Sequence, residues 1–395
     1  MSFEIALSGI NAINTQLDTI SNNIANSGTY GFKSSRANFA AMVAGTQPTG
    51  AEVGSLTQSI ETGGGVLNTG RAMDAAIHGR GFFVVRDASG EQLYTRVGVF
   101  ASDKDGYVVD SAGRKVQGQA AIEGSTTPGP MGDLRVPQGQ IAAKASDNLK
   151  YVGNLSASWS TPTATPFDRT DPQTFNGSMV STVHDSLGAQ HSITQYFVKT
   201  NTNQVTVHYT FDGTDLGTTN VLNFGSDGQM VSPIGAVPLA LGTPTGADPM
   251  TVDLDYTGTT QFAGEATTTV NGANGNASGT LIGLQIAEDG SVIAQYSNGQ
   301  KQSVGTLVLA TFPNETALTP VSETSWSVSV GSGAALYSAP GTGMAGKLSV
   351  GALEQSNVDM TAQLVTLMSA QRNYQANTKV ISTHNEMMQS LMQAV

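Results

Sequence analysis

The chain has 395 residues and a formal charge of −12, and only 12% of its residues are charged, against 46 glycines. Its 18 Lys and Arg are scattered along an acidic sequence, which argues against a nucleic-acid partner, because phosphate binding needs clustered positive charge. The absence of cysteine excludes a disulfide framework, a thiolate nucleophile and a Cys-based zinc site.

The length predicts several domains, and richness in Gly, Ser, Thr, Asn and Val favours strands and turns over helices. The opening "MSFEIALSGINAINTQ" has neither a positive n-region nor an unbroken apolar h-region, so no cleavable secretory signal is expected. No apolar run approaches membrane-spanning length, and no membrane insertion is expected. Phe3, Ala6, Ile10, Ile13, Leu17, Ile20 and Ile24 follow one another in alternating steps of three and four, the seam of an amphipathic helix. Glu4 and Asp18 are the only charges before Lys33, so this helix lacks the salt-bridged solvent face of a free surface helix.

The helix stops in "TISNNIANSGTYGFKSSR". Asn26 and Gly28 can take the left-handed conformation that ends a helix, and Lys33 and Arg36 are expected to put charge beyond the packed core. Residues 31–70, with 346–356, are read as a connecting extended segment.

Residues 66–345 alternate strand-like stretches with the turn dipeptides Asp105-Gly106, Asp212-Gly213, Asp227-Gly228 and Asp289-Gly290. In "SVIAQYSNGQKQSVGTLVLATF", Asn298-Gly299 suits a two-residue hairpin turn with both residues at positive φ. The Ser/Thr/Pro-rich 146–178 and the featureless 264–280 read as crossings between domains. An outer β domain, 146–280, is thus expected as an insertion in an inner one, 71–145 with 281–345.

At the C-terminus Leu353, Met360, Leu367, Tyr374, Ile381, Met388 and Val395 recur every seven residues, while the second seam is polar: Leu364 is followed by Gln371, Thr378 and Asn385. Burying so few apolar side chains barely offsets the entropy of ordering two helices. The helices either simply pair within one chain or complete their packing on neighbouring subunits; the polar second seam fits the latter. The fold class is therefore mixed and mainly β: two nested β domains plus an α-helical coiled-coil domain, 1–30 with 357–395. The expected polymer interface comprises Phe3, Ile10, Ile13, Leu17, Ile20, Ile24, Leu353, Met360, Leu364, Leu367, Tyr374, Ile381 and Met388.

No motif commits the chain to catalysis. "GTGMAGKL" at 341–348 matches a phosphate-binding loop until Leu348, where Ser or Thr must bind magnesium, and reads as a flexible loop leading to the C-terminal helix. The Gly63-Gly64-Gly65 run has no Lys at all. His78, His184, His191, His208 and His384 contain no metal-binding i, i+4 pair. "DKDG" at 103–106 reads as a β-turn, not a calcium loop. No G-x-S-x-G occurs, and Asp253 with Asp255 is a carboxylate pair that any acidic chain offers. No cofactor and no metal are expected.

Three stretches resemble flagellar axial proteins of the rod and hook family. The first, "ISNNIANSGTYGFKSSRANF", carries Ala25, Asn26, Gly31, Phe32 and Lys33 at the family's N-terminal elbow. The second is "GGGVLNTGRAMDAAIHGRGFFVV" with "LYTRVGVFASDKDGYVVDSAGRKVQG", and the third "LEQSNVDMTAQLVTLMSAQRNYQANTKVISTHNEM". Length and the inserted segment favour the hook members over the shorter distal rod ones. The resemblance implies a non-enzymatic, extracellular subunit exported through the flagellar type III apparatus. It would polymerise into a curved tube acting as a universal joint, with rod, hook cap, hook-length control and hook-filament junction proteins as partners. The rival readings are another axial structure, such as a distal rod or a tail-tube-like protein, and a secreted carbohydrate-binding or glycan-cleaving β protein.

Overall fold

The computed structural model describes residues 2–45, 47–122 and 127–394. The chain divides into two compact units, Met1–Gln138 with Gly283–Ala294 and Lys301–Val395, and Gly139–Ile282 with Gln295–Gln300.

In the first unit, helix α1 (Ser2–Ala25) is followed by a long antiparallel hairpin, β1 (Ser35–Ala44) and β2 (Gln47–Gln58). The chain read as a simple connector thus contains a hairpin, and it lies along α1. The Ala51 N–H donates to Ser8 Oγ at 3.2 Å, and a Cβ on Gly50 would sit 2.0 Å from that oxygen. Helix α2 (Met360–Ala394) closes the described chain and is capped by Asp359, whose Oδ1 accepts from the Thr361 and Ala362 N–H groups. The two helices run antiparallel: Asn23 Nδ2 donates to Gln363 Oε1, and the Phe3 and His384 rings lie 5.9 Å apart. Ile13, Ile20 and Ala370 are buried between them, with Leu17, Ile24 and Leu367 packed alongside.

Leu353 is not on that helix. It is buried in the strand Ala352–Glu354, which pairs with Val66–Asn68. The Asp359 cap fixes the helix start at Met360, after the strand has ended at Glu354, so the seven-residue spacing back to Leu353 is coincidental. Val395 lies outside the described residues.

The β portion of this unit is built around the strand Phe82–Arg86, with Phe82 through Val85 all fully buried. Phe82 and Val84 pack with Tyr94, Phe312 and Trp326 on one face, while the Phe83 ring meets Phe100 edge-on at 5.0 Å on the other. Burial on both faces explains the unbroken apolar run. "GTGMAGKL" folds back on itself, the Gly341 N–H donating to Gly346 O, and leads into the strand Lys347–Val350 and not a helix. In "DKDG", Asp103 Oδ1 accepts from the Asp105 and Tyr107 N–H groups, an Asx turn.

The second unit contains a five-stranded antiparallel sheet in sequence order from Gly177–His184 to Met230–Ser232. It also has a four-stranded sheet ordered Val237–Gly242, Met250–Asp255, Asn148–Asn154, Thr267–Ala273. One core draws on both, including Leu149, Tyr151, Phe197, Val207, Tyr209, Val252, Leu254 and Tyr256. The supposed crossings are therefore corrected: Asn148–Asn154 and Thr267–Ala273 are sheet strands, paired antiparallel to each other. The latter is almost wholly exposed, so it shows no apolar alternation to read. Of the turn dipeptides read in the sequence, the one with both residues at positive φ is Asp212-Gly213, at 45° and 76°. At Asn298-Gly299 only the glycine is left-handed, and the Gly299 N–H donates to Tyr296 O while the Tyr296 N–H donates to Gln300 O, a three-residue loop with a bulge.

In this unit His191 bridges two carboxylates, with Nδ1 2.6 Å from Asp212 and Nε2 3.3 Å from Asp185. The hydrogen bond to Asp212 raises the imidazolium pKa above 6.5; burial opposes the shift, and the Asp185 hydrogen bond adds to it. A raised pKa means that the folded state holds the proton more tightly. The pair's stabilisation is complete below the unfolded value and is lost as pH climbs through the folded one. Asp212 is half exposed, so the effect is small. His191→Asn should flatten the change in melting temperature between about pH 5.5 and about pH 8, measured by thermal unfolding; an unchanged pH dependence would refute the assignment.

Candidate assembly surface and its elbow

Helix α1 ends where Asn26 turns back on it. The Asn26 N–H and Nδ2 both donate to Asn22 O, at 3.1 and 3.0 Å, and Thr29 Oγ1 donates to Asn26 Oδ1. The left-handed residue is neither Asn26 nor Gly28 but Gly31, at φ 68°. A Cβ there would come within 3.0 Å of the Arg96 carbonyl carbon, and the Gly31 N–H donates to Glu354 O at 2.8 Å. Only glycine combines that φ with so close an approach.

The elbow therefore points Lys33 inward, contrary to its reading as a charge placed beyond the core. Its side chain is fully buried, with Nζ 2.6 Å from Glu354 Oε1 and 2.8 Å from Thr62 O. Glu354 Oε1 also accepts from the Gly64 N–H, and Oε2 lies 3.3 Å from Arg96 Nη1. Arg96 lies over the Phe82 ring. Burial pulls the Lys33 ammonium below its ordinary pKa, and Glu354 partly restores it. Two cations thus share one carboxylate, and backbone groups complete its shell.

Two asparagines brace this cluster. Asn23, buried at the end of α1, donates to Ser35 O and accepts from the Ser35 N–H. Asn357, just before α2, accepts from the Ser34 N–H and donates to Ser59 O and Thr62 O. A Cβ on Gly64 would lie 1.8 Å from Gln355 O, so the glycine run allows backbones to cross closely.

Comparison with known proteins decides the family. Models of the flagella basal body rod protein, the flagellar hook protein FlgE/F/G D1 domain, the flagellar basal body protein FlaE D2 domain and the flagellar basal body rod FlgEFG protein C-terminal region match residues 3–33, 76–144, 154–276 and 349–394. The flagellar hook protein FlgE of Salmonella typhimurium is 38% identical over 99% of each chain, and that of Escherichia coli is equally so. The FlgE of Treponema pallidum is 32% identical over 98% of this chain and 97% of its own. The chain belongs to the flagellar hook protein family. A solved structure of the Helicobacter pylori flagellar hook protein FlgE2, 14% identical, covers 71% of this chain and 98% of its own at a TM-score of 0.53, so the fold is shared as well.

In hook-family terms the buried cluster joins three segments. Lys33 is the last residue of the N-terminal match, Arg96 lies in the D1 match, and Glu354 lies near the start of the C-terminal match.

The residues expected to form the hook-family interface divide into three groups. On α1, Ile13 and Ile20 are buried against α2, Leu17 and Ile24 pack beside them, Ile10 is half-buried, and Phe3 contacts His384. On α2, Leu367 and Ile381 are half-buried, whereas Met360, Leu364, Tyr374 and Met388 remain exposed. Leu353 belongs to a strand. Of the elbow residues, Gly31 and Lys33 are buried, Asn26 and Phe32 half-buried and Ala25 exposed.

Sequence reasoning missed Ala370, Asn23, Asn377, Arg96 and Glu354. Ala370 is too small to register in an apolar pattern. Asn377 faces Gly9, where a Cβ would meet its Nδ2 at 2.8 Å; a glycine inside a strongly periodic helix was the available signal.

Proposed function

We propose that this chain is the structural subunit of the extracellular flagellar hook and that it polymerises through its terminal helix pair into a curved tube carrying torque from rod to filament. The observation that carries the reading is α2. Leu364, Val365, Met368, Val380, Met387 and Leu391 all stand exposed on a helix whose contacts with α1 bury only a small cluster. A helix left this apolar calls for further partners. Copies of the same chain are the partners that the family supplies.

Export through the flagellar type III apparatus, growth beneath a hook cap on the distal rod, and contacts with length-control and hook-filament junction proteins complete the proposal. A chain without disulfides suits passage in an unfolded state. No helix among the described residues is long and apolar enough to cross a membrane.

Electron microscopy of the concentrated protein tests the reading directly. Curved tubes of uniform diameter are expected, and monodisperse globules at every concentration would overturn it.

A further inference from the structure

The two helices differ in length, and the difference falls at one end. Helix α1 spans 24 residues and α2 spans 35, and the Phe3–His384 contact marks where α1 runs out. Residues 385–394 extend past it by about 15 Å. The seam continues over this overhang: Met388 follows Ile381 by seven residues, Leu391 follows His384 by seven, and Met392 follows Met388 by four. They are 49%, 57% and 74% exposed, and the described residues of α1 do not reach them.

A second unpartnered patch lies at the opposite end of α2. Leu364, Val365 and Met368 are 47%, 55% and 49% exposed and stand outside the cluster that α2 buries with α1. From Met368 to Met388 a straight helix spans about 30 Å, so the two patches cannot meet within one molecule.

We infer that the α2 overhang of one subunit seats on the Leu364–Val365–Met368 patch of a second copy. This rests on the hook reading and specifies one of its contacts. Two different patches at opposite ends of one rigid element make a heterologous, head-to-tail contact. Such a contact extends into an open helical assembly, whereas a patch that pairs with itself closes into a dimer. The occupant is a second copy because the overhang prolongs the same apolar seam that α1 covers lower down. Both patches are uncharged and aliphatic, as a buried helix contact requires.

A chain without cysteine makes the test direct. Met368→Cys and Leu391→Cys subunits are each polymerised alone and as an equal mixture, then oxidised and run on a denaturing gel. Covalent dimers are expected from the mixture and from neither variant alone, since a disulfide needs the two Cβ atoms within about 4.5 Å. Dimers from Leu391→Cys alone, or polymer without cross-links in the mixture, would overturn the contact. Cross-linking to Leu7→Cys in place of Met368→Cys would put the overhang on a neighbouring α1, also against the inference. As a second reading, deleting residues 386–395 should raise the critical concentration for polymerisation roughly a hundredfold or more, while the deleted chain keeps the wild-type melting profile; an unchanged critical concentration refutes the contact. Wild-type protein that forms no tubes defeats the hook reading itself, an outcome distinct from tubes that do not cross-link.

Discussion

Glu354→Ala should cost about 3–5 kcal/mol of unfolding free energy in the first unit, because it strands two buried cations around one missing carboxylate. Lys33 and Arg96 both lie within reach of Glu354, and its Oε1 also holds the Gly64 N–H. Neither cation can turn out to water without opening the elbow, since both side chains are at most 2% exposed. Replacing Lys33 with Met should cost less, since Arg96 then retains the carboxylate as a single pair. The measurement is urea unfolding followed by Trp326, which lines a cleft of about 460 Å³ together with Asn26, Phe32 and Lys33. Trp159, the other tryptophan and part of the second unit, is replaced by Phe so that the signal reports one unit. A midpoint shift below that of Lys33→Met would show that the carboxylate does not hold the cluster together. Because the cluster ties the exit of α1 to the entry of α2, the same substitution should also abolish polymerisation at concentrations where the wild type assembles.

That prediction turns on the element hardest to read in the sequence. A lysine that follows a polar run and is the first positive charge in the chain looks like an exit to solvent. Its partner is 321 residues away, and no local pattern points from one to the other. The resemblance located the elbow without saying what Lys33 does there. Helix α1 was legible because steps of three and four leave little alternative. Leu353 shows where periodicity misleads: spacing by seven carries no information across the end of a strand and a fresh N-cap. The strand Thr267–Ala273 shows the converse, since an edge strand exposed along its length needs no apolar alternation and reads as linker.

The second large effect concerns the inserted unit, whose removal is expected to leave a subunit that assembles into straight tubes. The ingoing and outgoing chains run side by side: Gln140 and Ile141 pair with Thr280 and Gly279, and Lys144 exchanges both backbone hydrogen bonds with Asn276. Deleting residues 146–274 leaves Ala145 and Gly275 as the two residues between that pair. With Ala145→Asn the join becomes Asn-Gly, the preferred two-residue hairpin turn. The core of the first unit lies wholly outside the deleted stretch, and that of the second wholly inside it. Assembly through the terminal helices needs only what remains. Curvature needs more, because in a bent tube the protofilaments on the inner side are shorter than those on the outer side. A preference for that state has to come from lateral contacts that differ with subunit spacing, and the inserted unit is the part of the chain free to supply them. Electron micrographs of the deleted protein should therefore show tubes that have lost their bend. Tubes of wild-type curvature, or no tubes from a chain whose first unit melts normally, would mean that curvature or assembly resides elsewhere in the subunit.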